Sequence, residues 1–226
     1  MPEEKTISLA ENAYRRIRHE ILLGELLPGA IVSERELASS YEMSKTPIRE
    51  AITQVCREGL MQRLPGRGYM VSPITIKEIH DLYDMRMIFE QATVRKFMAN
   101  PSPDVLENLK DMARISYKPD NPESEVEFLE VNREFHLTVA EASGNVRLVH
   151  ALEEVLVEME RLFHLGLHVG DYSQEMAAEH QDLVEAIEND DLEQALASIE
   201  DQIVTSKKRI LEAIMSGELQ SIQAIG

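Results

Sequence analysis

The chain has 226 residues, 23 of them basic and 41 acidic, for a formal charge of −18, with 43% apolar residues and one cysteine. That length holds one large domain or two small ones with real cores. No apolar run approaches the ~18 residues a membrane span needs, a single cysteine excludes an internal disulfide, and the polar start MPEEKTIS is no signal segment, so a cytoplasmic protein is expected.

Ser8 and Glu11 open a first helix that ends at Gly24, with Ala13, Tyr14, Ile17 and Ile21 on its inner face. Leu27-Pro28-Gly29 is a turn. Ser33 with Glu36 is a capping box, so a second helix starts near Glu34 and buries Leu37, Ala38 and Tyr41 before Met43 stops it. Thr46-Pro47 behind Ser44 starts a third helix at Lys45 or Thr46, because proline fits only the first turn. Its inner face is Ile48, Ala51, Ile52 and Val55, and its outer face is Lys45, Thr46, Arg49, Thr53 and Arg57. Cys56, beside Val55, reads as packing, and Gly59 is the stop. Met61–Leu64 and Tyr69–Val71 read as a two-stranded ribbon turned by Pro65-Gly66-Arg67-Gly68. Two helices at a tight turn, then a ribbon with a basic glycine tip, make a winged helix-turn-helix, a shape that lies on duplex DNA. The first residues of such a recognition helix reach base edges, and arginine suits guanine because its fork bonds both O6 and N7.

Over residues 8–73 these motifs resemble the GntR family of bacterial transcription regulators. The resemblance rests on Leu27-Pro28-Gly29, Ser33-Glu34-Arg35-Glu36-Leu37-Ala38, Ser44-Lys45-Thr46-Pro47-Ile48-Arg49-Glu50-Ala51 and the Gly66-Arg67-Gly68-Tyr69 wing. It implies DNA contacts from Arg35, from Ser44, Lys45, Thr46 and Arg49, and from Gly66 and Arg67 at the wing tip. Residues 1–75 hold ten basic and ten acidic side chains, so the whole charge of −18 belongs to the remainder. A neutral reader predicts modest affinity per copy and therefore two copies. The acidic remainder repels DNA and leaves the N-terminal face to bind it.

Ser72-Pro73-Ile74 is the expected linker, dividing residues 1–73 from residues 74–226. Beyond it the pattern is helical throughout. Helices are expected over 76–99, 104–116, 124–142, 146–166, 173–188 and 192–216, packed as an antiparallel bundle. The fold class is thus mainly α: a winged helix-turn-helix followed by an all-helical bundle. Polar residues occupy inward positions of that bundle: Arg86 on the first helix, Asn132 and His136 on the third, His180 on the fifth and Gln202 on the sixth. Burying such groups is costly unless they are paired or hold a ligand.

Met85-Arg86-Met87-Ile88-Phe89-Glu90, Phe135-His136 with the run Ala140–Asn145, and Glu179-His180 resemble the FCD effector domain of the FadR subfamily of GntR regulators. The resemblance implies an effector site at Arg86, Asn132, His136, His180 and Gln202. Many FCD domains hold one divalent metal (zinc, nickel or manganese) on an Asp, a His four residues later, a second His and a third 22 residues beyond it. Those positions are Asn132, His136, His180 and Gln202 here, so His136, His180 and Asn132 are the candidate metal ligands, with two neutral amides where carboxylate and imidazole are usual. Other branches bind an organic effector directly. His164 and His168, four apart, read as a solvated pair.

No Glu-x-x-His repeat, His-Glu-x-x-His, P-loop or Gly-x-Ser-x-Gly occurs, so a metal-dependent bundle enzyme is the weaker alternative, as is an adaptor that no longer binds DNA. The expectation is a ligand-responsive, DNA-binding transcription regulator, a repressor in most of the family. It is expected to bind a pseudo-palindromic operator as a homodimer and to answer a small carboxylate metabolite.

Overall fold

The computed structural model describes residues 8–119, 121–167 and 170–215. It divides into two compact units that part between Thr75 and Ile76.

The first unit contains α1 (Leu9–Leu22), β1 (Ile31–Val32), α2 (Glu34–Ser40), α3 (Lys45–Arg57), β2 (Met61–Leu64) and β3 (Gly68–Val71). Its helix starts follow from local chemistry. Ser8 Oγ accepts the Glu11 N–H at 3.1 Å. Ser33 closes a full capping box, accepting the Glu36 N–H at 3.2 Å and donating its own N–H to Glu36 Oε2 at 2.8 Å. Ser44 precedes α3 in extended backbone without a side-chain bond, and Pro47 sits buried in the first turn, where no N–H is needed. Between α2 and α3 the chain reverses through Glu42, whose φ is +55°, and the Met43 N–H donates to the Ala38 carbonyl at 2.9 Å.

Ala13, Ile17 and Ile21 of α1 and Ile48, Ile52 and Val55 of α3 lie in one core, none more than 4% exposed. Each such Ile or Val contributes roughly 1.5–3 kcal/mol by burial. Cys56 is half-buried against the same core, in line with packing. At the rim the Tyr14 hydroxyl donates to Glu58 Oε1 at 2.7 Å and the Tyr41 hydroxyl to Glu20 Oε2 at 2.6 Å.

The ribbon is a three-stranded antiparallel sheet, ordered β1-β3-β2, and not the two strands expected. Ile31 pairs with Met70 and Val32 with Tyr69, while Met61–Leu64 pair with Val71–Gly68. A two-residue strand is too short to display alternation, so only its pairing reveals it. At the tip the Arg67 N–H donates to the Leu64 carbonyl at 3.0 Å. With Pro65 second and Gly66 third at φ +73°, this is a type II turn.

The second unit holds α4 (Ile76–Met98), α5 (Pro103–Met112), α6 (Pro122–Ala142), α7 (Val146–Leu167), α8 (Ser173–Glu188) and α9 (Leu192–Met215). α5 stops four residues short of the expected Ser116, because the N–H groups of Arg114 and Ile115 turn back to the carbonyls of Asp111 and Met112. α6 begins at Pro122, two residues early, since Asn121 caps it by accepting the Ser124 N–H at 3.0 Å. The expected end of α9 at Ser216 lies outside the described residues. Three-residue links, 143–145 and 189–191, join α6 to α7 and α8 to α9 as antiparallel neighbours. α4 packs against α6, α7 and α9, which encloses its inner face. The sequence spacing puts Ile79, Leu82, Tyr83, Arg86, Phe89 and Val94 on that face; Leu82 and Phe89 are only half-buried, and Glu90 points inward, 2% exposed. Among the described residues no helix is long and apolar enough to cross a membrane.

Candidate functional sites

The first site is the outer face of the first unit. Arg35 of α2, Ser44 before α3, Lys45, Thr46 and Arg49 of α3, and Gly66 and Arg67 of the wing tip are all exposed. In the same turns of α3, Pro47, Ile48 and Ala51 are buried. The helix therefore turns one polar face outward and anchors it from beneath. No ion pair among the described residues holds Arg35, Lys45 or Arg67.

Arg49 is held. Its Nε donates to Glu34 Oε1 at 3.0 Å and its Nη2 to Glu34 Oε2 at 2.7 Å. The Tyr69 hydroxyl donates to the same Oε1 at 3.1 Å. One carboxylate at the start of α2 thus joins α2, α3 and β3. The hydrogen bond from Arg49 holds the Glu34 carboxyl below the usual carboxylate range. No local pattern marks Glu34 as the partner of Arg49 and Tyr69, which lie 15 and 35 residues away along the chain. Thr53, placed on the outer face, turns its hydroxyl to the Arg49 carbonyl at 2.7 Å.

The second site lies inside the second unit. All five predicted residues are buried: Arg86 3% exposed, Asn132 5%, His136 2%, His180 4% and Gln202 4%. Arg86 Nε donates to Glu90 Oε1 at 2.5 Å and Arg86 Nη2 to His136 Nε2 at 3.0 Å. His136 Nδ1 stands 2.7 Å from Glu90 Oε2. The His180 ring stacks on Phe135 at 4.2 Å and meets His136 edge-on at 5.4 Å. Gln202 Nε2 donates to the Glu179 carbonyl at 2.5 Å, next to His180, while Gln202 Oε1 is buried without a partner. Asn132, one turn before His136, makes no side-chain hydrogen bond to a described residue.

Burial alone would raise the Glu90 carboxyl, but the charge of Arg86 and the hydrogen bonds from His136 and Arg86 outweigh it and hold it at about 2. Burial pushes both imidazoles down, with Arg86 acting in the same sense, and His180 falls well below its ordinary value. Glu90 was missed as a site residue, although its place four residues after Arg86 puts both on one helix face. Beside this core Arg209 Nη2 donates to Glu175 Oε2 and Glu179 Oε1, each at 2.9 Å, with its guanidinium 4.6 Å over the Tyr172 ring. A shallow cleft lined by Phe163, Tyr172, Met176, Ser206 and Arg209 opens there. Phe163 also lies 5.3 Å beneath the Arg86 guanidinium, so it stands between cleft and core.

As placed, these residues do not fit a divalent metal. Both ring nitrogens of His136 are taken, and the one on Nε2 is a cation that would repel the ion. Asn132 and Gln202 bring no charge, and no three His, Cys, Asp or Glu side chains gather around one point among the described residues. His164 is buried, 1% exposed, which corrects its reading as half of a solvated pair, and His168 lies outside the described residues. His164 lies within α7 in a buried stretch that includes Leu162, Phe163 and Leu167.

A winged helix-turn-helix unit, followed along the chain by a helical unit with a buried polar core, is the make-up of a DNA-binding transcription regulator with an effector domain. Residues 9–71 match the bacterial regulatory proteins of the gntR family, and residues 81–205 match the FCD domain. The chain belongs to the GntR family, in the branch that carries an FCD domain. It is 26% identical over 186 residues, 80% of this chain and 82% of the relative, to the HTH-type transcriptional regulator YdhC of Bacillus subtilis. It is 25% identical over 194 residues, 83% and 76% of the two chains, to the gluconate operon transcriptional repressor of the same organism. Among solved structures, Escherichia coli McbR/YncC shares the fold, with a TM-score of 0.71 at 21% identity over 92% of this chain and all of that one.

Proposed function

We propose that this chain is a cytoplasmic, effector-responsive repressor that binds a pseudo-palindromic operator as a homodimer. Residues 1–73 read the DNA and residues 74–226 dimerise and bind the effector, a small metabolite carrying a carboxylate. The observation that carries the reading is the exposed polar face formed by Arg35, Ser44, Lys45, Thr46, Arg49, Gly66 and Arg67, on a helix buried along its other side. Arginine there can bond guanine bidentately, and the wing tip can approach the sugar-phosphate wall. Repression is supported by the gluconate operon repressors among the relatives.

The effector site is proposed at Arg86, Asn132, His136, His180 and Gln202, without a metal. Gln202 Oε1 is buried and unpartnered, and the Asn132 amide and His180 ring make no hydrogen bond to a described residue. A ligand supplies what such groups lack. Arg86 Nη1 donates to nothing among the described residues and is left for a carboxylate. Emptying the operator requires the effector to prefer one dimer state by about 5 kcal/mol.

The test is fluorescence anisotropy on a duplex selected by the protein from a random-sequence library, followed by a screen of mono- and dicarboxylates. Expected are a steep loss of affinity as salt rises and release by one carboxylate. Salt-independent or undetectable duplex binding would remove the DNA-reading function, and release only by uncharged or cationic metabolites would remove the carboxylate.

A further inference from the structure

We propose that Glu34 is the positioning residue for base readout: it grips one edge of Arg49 and presents the other edge, already oriented, to a guanine. The inference rests on α3 being the recognition helix. A guanidinium has five N–H donors in a rigid plane. Glu34 takes Nε–H and one Nη2–H, at 3.0 and 2.7 Å. The edge left over, Nη1 and the outer N–H of Nη2, is the pair whose spacing matches guanine O6 and N7.

The carboxylate is the better fixed of the two partners. Its side chain is 20% exposed, against 64% for Arg49. Glu34 is the first residue of α2, where the helix N-terminus favours negative charge. The Tyr69 hydroxyl holds Oε1 from the wing strand at 3.1 Å. Arg49 is therefore stiffened before DNA arrives. Long arginine side chains lose rotamer freedom on binding, and here part of that loss is taken on folding. The arrangement also sets the reading distance, because α2, α3 and β3 share one carboxylate.

The rival reading is that Glu34 only competes with DNA as a nearby negative charge. The two make opposite predictions. Full-length wild type, Glu34→Gln, Arg49→Ala, the double variant and Tyr69→Phe are titrated against a library-selected duplex and a scrambled one. Every single base pair of the selected duplex is then substituted in turn.

The expected result is that Glu34→Gln weakens the selected duplex by about tenfold, within the range of one bidentate base contact, and leaves scrambled binding unchanged or tighter. Its lost preference falls at the base pair that Arg49→Ala relaxes, and the double variant is no weaker than Arg49→Ala. Tyr69→Phe, which keeps the ion pair, gives a smaller loss at the same base pair and serves if Glu34→Gln does not fold. Tighter binding of both duplexes by Glu34→Gln, with a loss in Arg49→Ala, overturns the positioning role and leaves α3 as reader. Wild-type binding by Arg49→Ala overturns the reading of α3 itself.

Discussion

Arg86 Nη2 lies 3.0 Å from His136 Nε2, and that contact fixes the state of the imidazole. A guanidinium can only donate, so Nε2 is a bare acceptor and the ring proton sits on Nδ1, 2.7 Å from Glu90 Oε2. A neutral ring with both nitrogens engaged is not available to a cation. Protein purified without chelator or histidine tag, exposed to zinc, nickel or manganese and desalted, should retain far less than one metal per chain by elemental mass spectrometry. Near one per chain would mean that the Arg86–His136 contact opens to admit it.

The same contacts make Glu90 hard to neutralise. It and Arg86 are 3% or less exposed, and removing one partner of a buried pair strands the other charge. Glu90→Gln should therefore lose about 3–5 kcal/mol in urea unfolding. The double change Arg86→Met with Glu90→Leu should recover most of that, since no charge is left behind, while abolishing the effector response. A Glu90→Gln protein within about 1 kcal/mol of wild type would show that water reaches Arg86.

Stability should also fall on mild acidification. Burial depresses His136 and His180, so the unfolded chain takes up protons near pH 6.5 that the folded chain refuses. The contribution is present above the unfolded value and is lost as pH falls below it, by up to about 1.4 kcal/mol per pH unit for each ring. Glu90 acts in a lower window, from its ordinary 4.5 down to about 2. His180→Phe keeps the stack on Phe135 and should flatten the slope between pH 7.5 and 5.5. An unchanged slope would assign the effect to other groups.

The sequence made α1, α2 and α3 legible because their starts are local: Ser8, Ser33 and Pro47 act within one turn. The polar residues of the bundle were legible as exceptions to an apolar face. What was hidden depends on pairing across the chain. β1 has no pattern of its own and exists through Met70 and Tyr69. Glu34 reads as an ordinary first-turn acid until Arg49 is folded against it. Glu90 was concealed by Phe89, the more obvious inward residue, because burying a carboxylate makes sense only once Arg86 and His136 are in place.

The two wing glycines should separate conformation from contact. At Gly68, φ is +110° and an added Cβ would lie 2.5 Å from the Val32 carbonyl oxygen. That neighbour is paired backbone of β1 and has nowhere to swing. Gly68→Ala should therefore destabilise the first unit by about 1–3 kcal/mol, and its DNA affinity should recover under conditions that restore folding. At Gly66, φ is +73° with nothing within 4 Å of an added Cβ, so alanine there meets only the left-handed backbone penalty, about 1 kcal/mol. If the wing tip lies against a sugar-phosphate wall, the same methyl must also displace DNA. Gly66→Ala should then lose more operator affinity than its unfolding free energy explains, measured by urea titration beside anisotropy. Equal losses in both would place the tip away from the duplex and leave α2 and α3 to make the contacts alone.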